Sequence, residues 1–224
     1  MCDLVIFDCD GVLIDSEIIS ARMLIDELAL LGIDIDLPYV ARHFLGRSYP
    51  TVMETIRREY GVDLPPAFED QYRERLLEGF RKDLKIMPGV VDVLSQLAIP
   101  FCVATSSSPR RAEMSLDLTG LRPLISDRLF TASQVARGKP APDLFLFAAA
   151  QMGVDPARAL VIEDSLTGLK AAHAAGMPVW WFTGGSHFRT GSAAPEPSLD
   201  AQPQRRFDDF GAFFQTAPRL RRPQ

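Results

Sequence analysis

Leu4-Val5-Ile6-Phe7-Asp8-Cys9-Asp10-Gly11-Val12 is an apolar run that stops at two carboxylates one residue apart. A short apolar segment without alternation is how a parallel strand covered on both faces reads, and open α/β sheets bind ligands at the carboxyl ends of such strands. The stretch predicts a buried strand with Asp8 and Asp10 at its functional end. Asp-Gly is also turn chemistry, so this segment alone leaves a solvated acidic turn as the alternative.

Downstream the texture is first helical and then alternating. After a polar break at Asp15-Ser16-Glu17, the residues Ile18, Ile19, Met23, Leu24, Leu28 and Leu31 recur at helical spacing and close at Gly32. Further helices are predicted around Tyr39 to Phe44, Val52 to Tyr60 and Phe68 to Phe80, with no strand pattern between them. From Pro88 onward, helices at Val90 to Leu97, Arg110 to Thr119, Leu144 to Met152 and Leu166 to Ala175 alternate with strands at Phe101 to Ala104, Leu129 to Thr131, Ala159 to Ile162 and Val179 to Phe182. Such alternation predicts an α/β fold on a parallel sheet. The expected organisation is a discontinuous α/β core domain, residues 1–15 and 85–224, interrupted by a helical domain of residues 16–84. After Phe182 the chain turns Gly-, Ser- and Pro-rich, which predicts a loose loop before a short last helix near Phe207 to Phe214.

Composition narrows the function classes. With 224 residues and 47% hydrophobic content, the chain can bury one good core and carry a smaller appended unit. The net charge of −5, with arginine pairs spread along the chain, disfavours a nucleic-acid partner. No apolar run approaches about 18 residues and the opening residues read as a strand, so neither membrane insertion nor secretion is expected. Cys2, Cys9 and Cys102 lie in or beside predicted strands without Cys-x-x-Cys spacing. They read as reduced packing residues, and a cytoplasmic monomer or weak dimer is the expectation.

Four polar sites follow predicted strands: Asp8 and Asp10; Thr105, Ser106 and Ser107; Lys139 in Gly138-Lys139-Pro140-Ala141-Pro142-Asp143; and Glu163, Asp164 and Ser165. In order and spacing these motifs resemble those of the haloacid-dehalogenase (HAD) superfamily of hydrolases, in the β-phosphoglucomutase-like subgroup with a helical cap inserted after the first motif. The resemblance covers most of the chain. It implies a Rossmann-like three-layer core (the HAD fold) with the first strand at the switch point, so that Asp8, Thr105 and Asp164 converge on one crevice.

The resemblance also implies roles. Asp8 is the nucleophile that becomes aspartyl phosphate, and a carboxylate needs no base to ionise it at neutral pH. Mg²⁺, a hard cation, is held by a carboxylate oxygen of Asp8, the backbone carbonyl of Asp10 and the carboxylate of Asp164, with Glu163 one step further from the metal. Lys139 supplies positive charge to Asp8 and to the transferring oxygens; the Thr105 hydroxyl and the Ser106 backbone N–H donate to the same phosphate. Asp10 is the general acid and then the general base. A dehalogenase would lack this second Asp.

For specificity, the resemblance places a cap loop at Gly46-Arg47-Ser48, making Arg47 a candidate for a substrate carboxylate or hydroxyls, alongside Ser107. Arg110 and Arg111 open a helix, where a cation gains nothing from the dipole, so a second substrate anion is their expected partner. His43, His173 and His187 show no metal-ligand spacing and are read as structural or solvated. The leading expectation is a Mg²⁺-dependent phosphatase of a small phosphorylated sugar, sugar acid or polyol. A phosphomutase is the alternative. A receiver-type signalling module combines similar residues, but there the acidic pair comes first and the phosphorylated Asp later.

Overall fold

The computed structural model describes residues 2–44, 46–62, 64–65, 67–189 and 196–223. Strand β1 (Leu4–Phe7) lies inside a six-stranded sheet that also contains β2 (Phe101–Thr105), β3 (Leu129–Thr131), β4 (Ala159–Glu163), β5 (Val179–Phe182) and β6 (Arg205–Phe207). The order is β3-β2-β1-β4-β5-β6, and every pairing is parallel.

The unalternating apolar run of β1 has its explanation in two covered faces. Val5 and Phe7 pack with Val90, Val93, Leu116 and Phe213 on one side; Leu4 and Ile6 pack with Leu144, Phe145, Ala148 and Leu169 on the other. The helices that cover the sheet are α5 (Val90–Gln96), α6 (Pro109–Leu118), the short α7 (Arg122–Ile125), α8 (Asp143–Gln151), α9 (Leu166–Ala174) and the short α10 (Phe213–Thr216). With the sheet they form three layers around one α/β core.

Between β1 and β2 stand four further helices: α1 (Glu17–Ala29), α2 (Leu37–His43), α3 (Tyr49–Tyr60) and α4 (Phe68–Asp83). They bury a separate apolar cluster that includes Leu24, Leu28, Ile56, Leu76, Leu77 and Phe80. The two strands of chain that join this block to the sheet run side by side. Asp15 N donates to Lys85 O (2.9 Å), Met87 N donates to Leu13 O (2.9 Å), and Ile14 bridges Ile86 antiparallel.

The chain's end departs from expectation. Arg205–Phe207 forms an edge strand beside β5, with Phe182 opposite Phe207, and a short 3₁₀ turn (Phe210–Ala212) leads into α10. The spacing of Phe207, Phe210, Phe213 and Phe214 imitates a helix. These rings cluster instead with Trp180 and Phe182. The segment after Phe182 is also more ordered than expected through Arg189, with a 3₁₀ turn at Ser186–Arg189; 190–195 lie outside the described residues. Among the described residues, no helix is long and apolar enough to cross a membrane.

Candidate active site

Because β2, β1 and β4 are neighbours, their carboxyl ends bring Asp8, Thr105 and Glu163 to one edge of the sheet. Asp8 N donates to Ile162 O (2.9 Å), which carries the β1–β4 pairing one residue past the strand. Lys139 reaches the same point from the loop before α8. Its buried Nζ donates to Asp8 Oδ1 (2.5 Å), Glu163 Oε1 (2.7 Å) and Ala104 O (2.9 Å), and it lies 4.7 Å from the centre of the Phe145 ring. Burial works against its charge, but the two carboxylates hold it above the ordinary lysine range.

Glu163 has both oxygens engaged. Oε1 accepts from Lys139, while Oε2 accepts from Asp164 N (3.0 Å), Ser165 N (3.0 Å) and Ser165 Oγ (2.9 Å). Ser165 in turn caps α9 by accepting from Gly168 N (3.0 Å). Asp8, Glu163 and Asp164 each place one carboxylate oxygen within 4.8 Å of the others. Burial first, then the crowding of like charges, pushes Asp8 and Asp164 well above the usual carboxylate range, with Lys139 opposing. Three buried carboxylates face one lysine, and the oxygens of Asp8 and Asp164 suit a hard divalent cation.

Asp10 is held differently. Its Oδ1 accepts from Ser16 Oγ (2.6 Å) and Arg111 Nη2 (2.8 Å), and its Oδ2 from Ser107 Oγ (2.6 Å), with Thr105 Oγ1 at 3.4 Å. Burial would raise its pKa, yet the Arg111 guanidinium and the hydroxyl donors together hold it below the ordinary range. The expectation for the arginine pair is corrected here. Arg111 is paired with Asp10 and Ser20 (3.1 Å) and lies over the Phe80 ring, whereas Arg110 pairs with Glu74 (2.5 Å) of α4. Protein carboxylates take the place of a second substrate anion.

Between the helical block and this edge of the sheet lies a cavity of about 700 Å³, far more than a phosphate needs. Asp8, Asp10, Thr105, Ser106 and Lys139 line its floor; Glu17, Leu24, Arg47, Tyr49 and Tyr72 line the helical side. Ser106 Oγ donates to Gly46 O (3.3 Å), which joins the second motif to the loop carrying Arg47. The exposed Arg47 side chain makes no ion pair among the described residues.

Sequence reasoning passed over Ser16, Glu17, the Asp10 contact of Arg111, and His187. Ser16 and Glu17 read as a polar break before a helix, yet they face the site. Glu17, enclosed by protein and near Asp164 and Asp10, is pushed up to about 8, chiefly by burial. Their position eight and nine residues beyond Asp8, straight after the Asp-x-Asp turn, was the available signal. His187 is buried with Nε2 3.2 Å from Asp164 Oδ2. Nothing local to residues 186–189 announces a partner 23 positions upstream.

Relatives carry the same architecture. The description "haloacid dehalogenase-like hydrolase" fits residues 2–176 of the chain. The 6-phosphogluconate phosphatase of Escherichia coli K12 is 30% identical over 184 residues, which span 82% of this chain and 83% of that enzyme. A haloacid dehalogenase-like protein of unknown function from Agrobacterium tumefaciens C58 superposes with a TM-score of 0.80 at 34% identity, covering 98% of this chain and 99% of that one. A HAD family hydrolase from Deinococcus radiodurans R1, with bound phosphate and sodium, superposes with a TM-score of 0.75 at 30% identity, covering 100% and 99%. A sheet that gathers Asp8, Lys139 and Asp164 at its switch point and these similarities agree, and the chain belongs to the haloacid dehalogenase-like hydrolase family.

Proposed function

We propose that the protein is a Mg²⁺-dependent phosphatase that hydrolyses a small phosphorylated sugar, sugar acid or polyol through an aspartyl phosphate on Asp8. The observation that carries this reading is the pairing of Asp8 with Lys139 at the floor of a roomy cavity, with a second, separately held aspartate two residues away. The Escherichia coli relative, named for 6-phosphogluconate, supports a phosphorylated sugar acid as the first class to try.

In this reading residues 16–84 act as a cap domain over a core of residues 1–15 and 85–224. Carboxylate oxygens of Asp8 and Asp164 and the backbone carbonyl of Asp10 would hold the Mg²⁺, which supplies positive charge against the phosphate. Glu163 stays out of direct coordination because its oxygens are occupied by Lys139 and by the Asp164–Ser165 amides. Asp8 attacks phosphorus, the bond to the leaving oxygen breaks, and that oxygen takes its proton from Asp10. The contacts of Asp10 in the free enzyme favour the ionised form, so it must be protonated when substrate is bound. Lys139, the Thr105 hydroxyl and the Ser106 N–H stabilise the transferring oxygens. Water then attacks phosphorus, Asp10 takes the proton, and Asp8 is released with inorganic phosphate.

Of the two residues expected to set specificity, Arg47 and Ser107, Arg47 is the one placed to read the substrate's far end. Arg47 faces the cavity with its charge uncommitted among the described residues, and suits a carboxylate or vicinal hydroxyls. Ser107 holds Asp10, so it acts on the acid and not on the substrate's far end. A phosphate-release screen with Mg²⁺ over phosphorylated sugars, sugar acids, polyols and nucleotides tests the reading. Release from a member of the first three classes is expected; no release from any of them would overturn it.

A further inference from the structure

The loop after β5 touches the site at a residue that none of the four motifs contains. Ser186 fixes one side of this loop, its N–H and Oγ both donating to Asp15 Oδ1 (3.0 and 2.8 Å) on the linker into α1. One residue on, His187 turns inward and is only 7% exposed, with Nε2 3.2 Å from Asp164 Oδ2. The ring has room because residue 185 is glycine; a Cβ there would lie 2.6 Å from His187 Cε1. Asp164 is gripped from a second direction by Trp181, whose indole N–H donates to the Asp164 carbonyl (2.8 Å). Lys139 spends its three hydrogen bonds on Asp8, Glu163 and Ala104. Among the described residues the imidazole is thus the nitrogen group set against the Asp164 side chain.

We propose that His187 is a positioning residue for the metal centre, holding Oδ2 of Asp164 so that the carboxylate presents its other oxygen to the cation. The inference rests on the metal reading given above. A carboxylate beside two others gains by rotating away from them, and a donor on one oxygen removes that freedom. Groups that hold a ligating carboxylate in this way are worth about 10–100-fold in metal affinity. Gly185, Ser186 and Asp15 have a common explanation in this role, since together they set the depth of one ring.

The test is Mn²⁺ binding to the full chain, followed by electron paramagnetic resonance of the free ion, in wild type, His187→Gln, His187→Leu and Asp164→Asn. Glutamine keeps a side-chain N–H donor; leucine fills the space without one. The expected result is near-wild-type affinity for His187→Gln, a 10–100-fold weaker Kd for His187→Leu, and a larger loss for Asp164→Asn. If His187→Leu binds within about 2-fold of wild type while Asp164→Asn does not, His187 has no such role and the metal site stands. Equal weakening in the Gln and Leu variants makes the effect one of packing and also overturns the inference. Unchanged binding in Asp164→Asn removes the metal reading itself and this inference with it.

Discussion

Asp8 and Asp10 stand two residues apart in one turn, yet their surroundings separate their behaviour. Asp8 shares its lysine with Glu163 in a crowd of carboxylates, while Asp10 accepts from an arginine and two serines. Arg110 and Arg111, adjacent at the start of α6, show the same separation. Arg111→Leu strands the buried Asp10 carboxylate and should lower the free energy of unfolding by about 2 kcal/mol, below the usual loss for a fully buried pair because the guanidinium is 24% exposed. Arg110→Leu breaks an exposed pair and should leave the urea midpoint at wild type. Equal midpoints for the two variants would contradict the assignment of Arg111 to Asp10. Glu17 carries the pH prediction at this scale. Its carboxyl is raised to about 8, so it is neutral below that pH and gains a negative charge facing the cavity above it. KM for a phosphate dianion should therefore rise as pH passes about 8, and Glu17→Gln should flatten that rise; an unchanged KM profile in the variant would refute it.

At the scale of elements, the turn after β1 is tightly constrained. Gly11 has φ +79°, and a Cβ there would run into the Asp164 carboxylate. Gly11→Ala should cost about 1–2 kcal/mol from backbone strain alone, and should cut phosphate release more steeply than stability because it displaces Asp164. Activity equal to wild type in the folded variant would show that Asp164 has no fixed place in the reaction. The apolar runs of β1, β2, β4 and β5 were legible because strands buried on both faces leave no other pattern, and the amphipathic helices of residues 16–84 were legible from their spacing. The end of the chain was not. Arg205 and Arg206 look like solvated residues, but each stacks over a tryptophan of β5 while their backbone pairs with it. That is a tertiary effect which overrides the helical spacing of the phenylalanines that follow.

For the molecule as a whole, the four motifs were readable because each sits at the end of a strand whose position the alternation fixes. The contacts of Arg111 and His187 were not, since they join residues 101 and 23 positions apart and depend on how the helical block and the β5 loop settle over the sheet. In the proposed reading, metal dependence is a property of that assembled site. Phosphate release should stop in EDTA and return with Mg²⁺ but not Ca²⁺, because a larger cation that accepts more ligands draws both Asp8 oxygens into coordination. Undiminished turnover in EDTA would contradict the metal reading. The central claim is that Asp8 carries the phosphoryl group, and Asp10→Asn gives the most direct view of it. With p-nitrophenyl phosphate the leaving group needs no proton, so the variant should form the phospho-enzyme and hydrolyse it slowly. Acid quench and peptide mass spectrometry should then find one phosphoryl group on the peptide containing Asp8, absent in Asp8→Asn; an unmodified Asp8 peptide, from an enzyme that still releases p-nitrophenolate, would contradict the account.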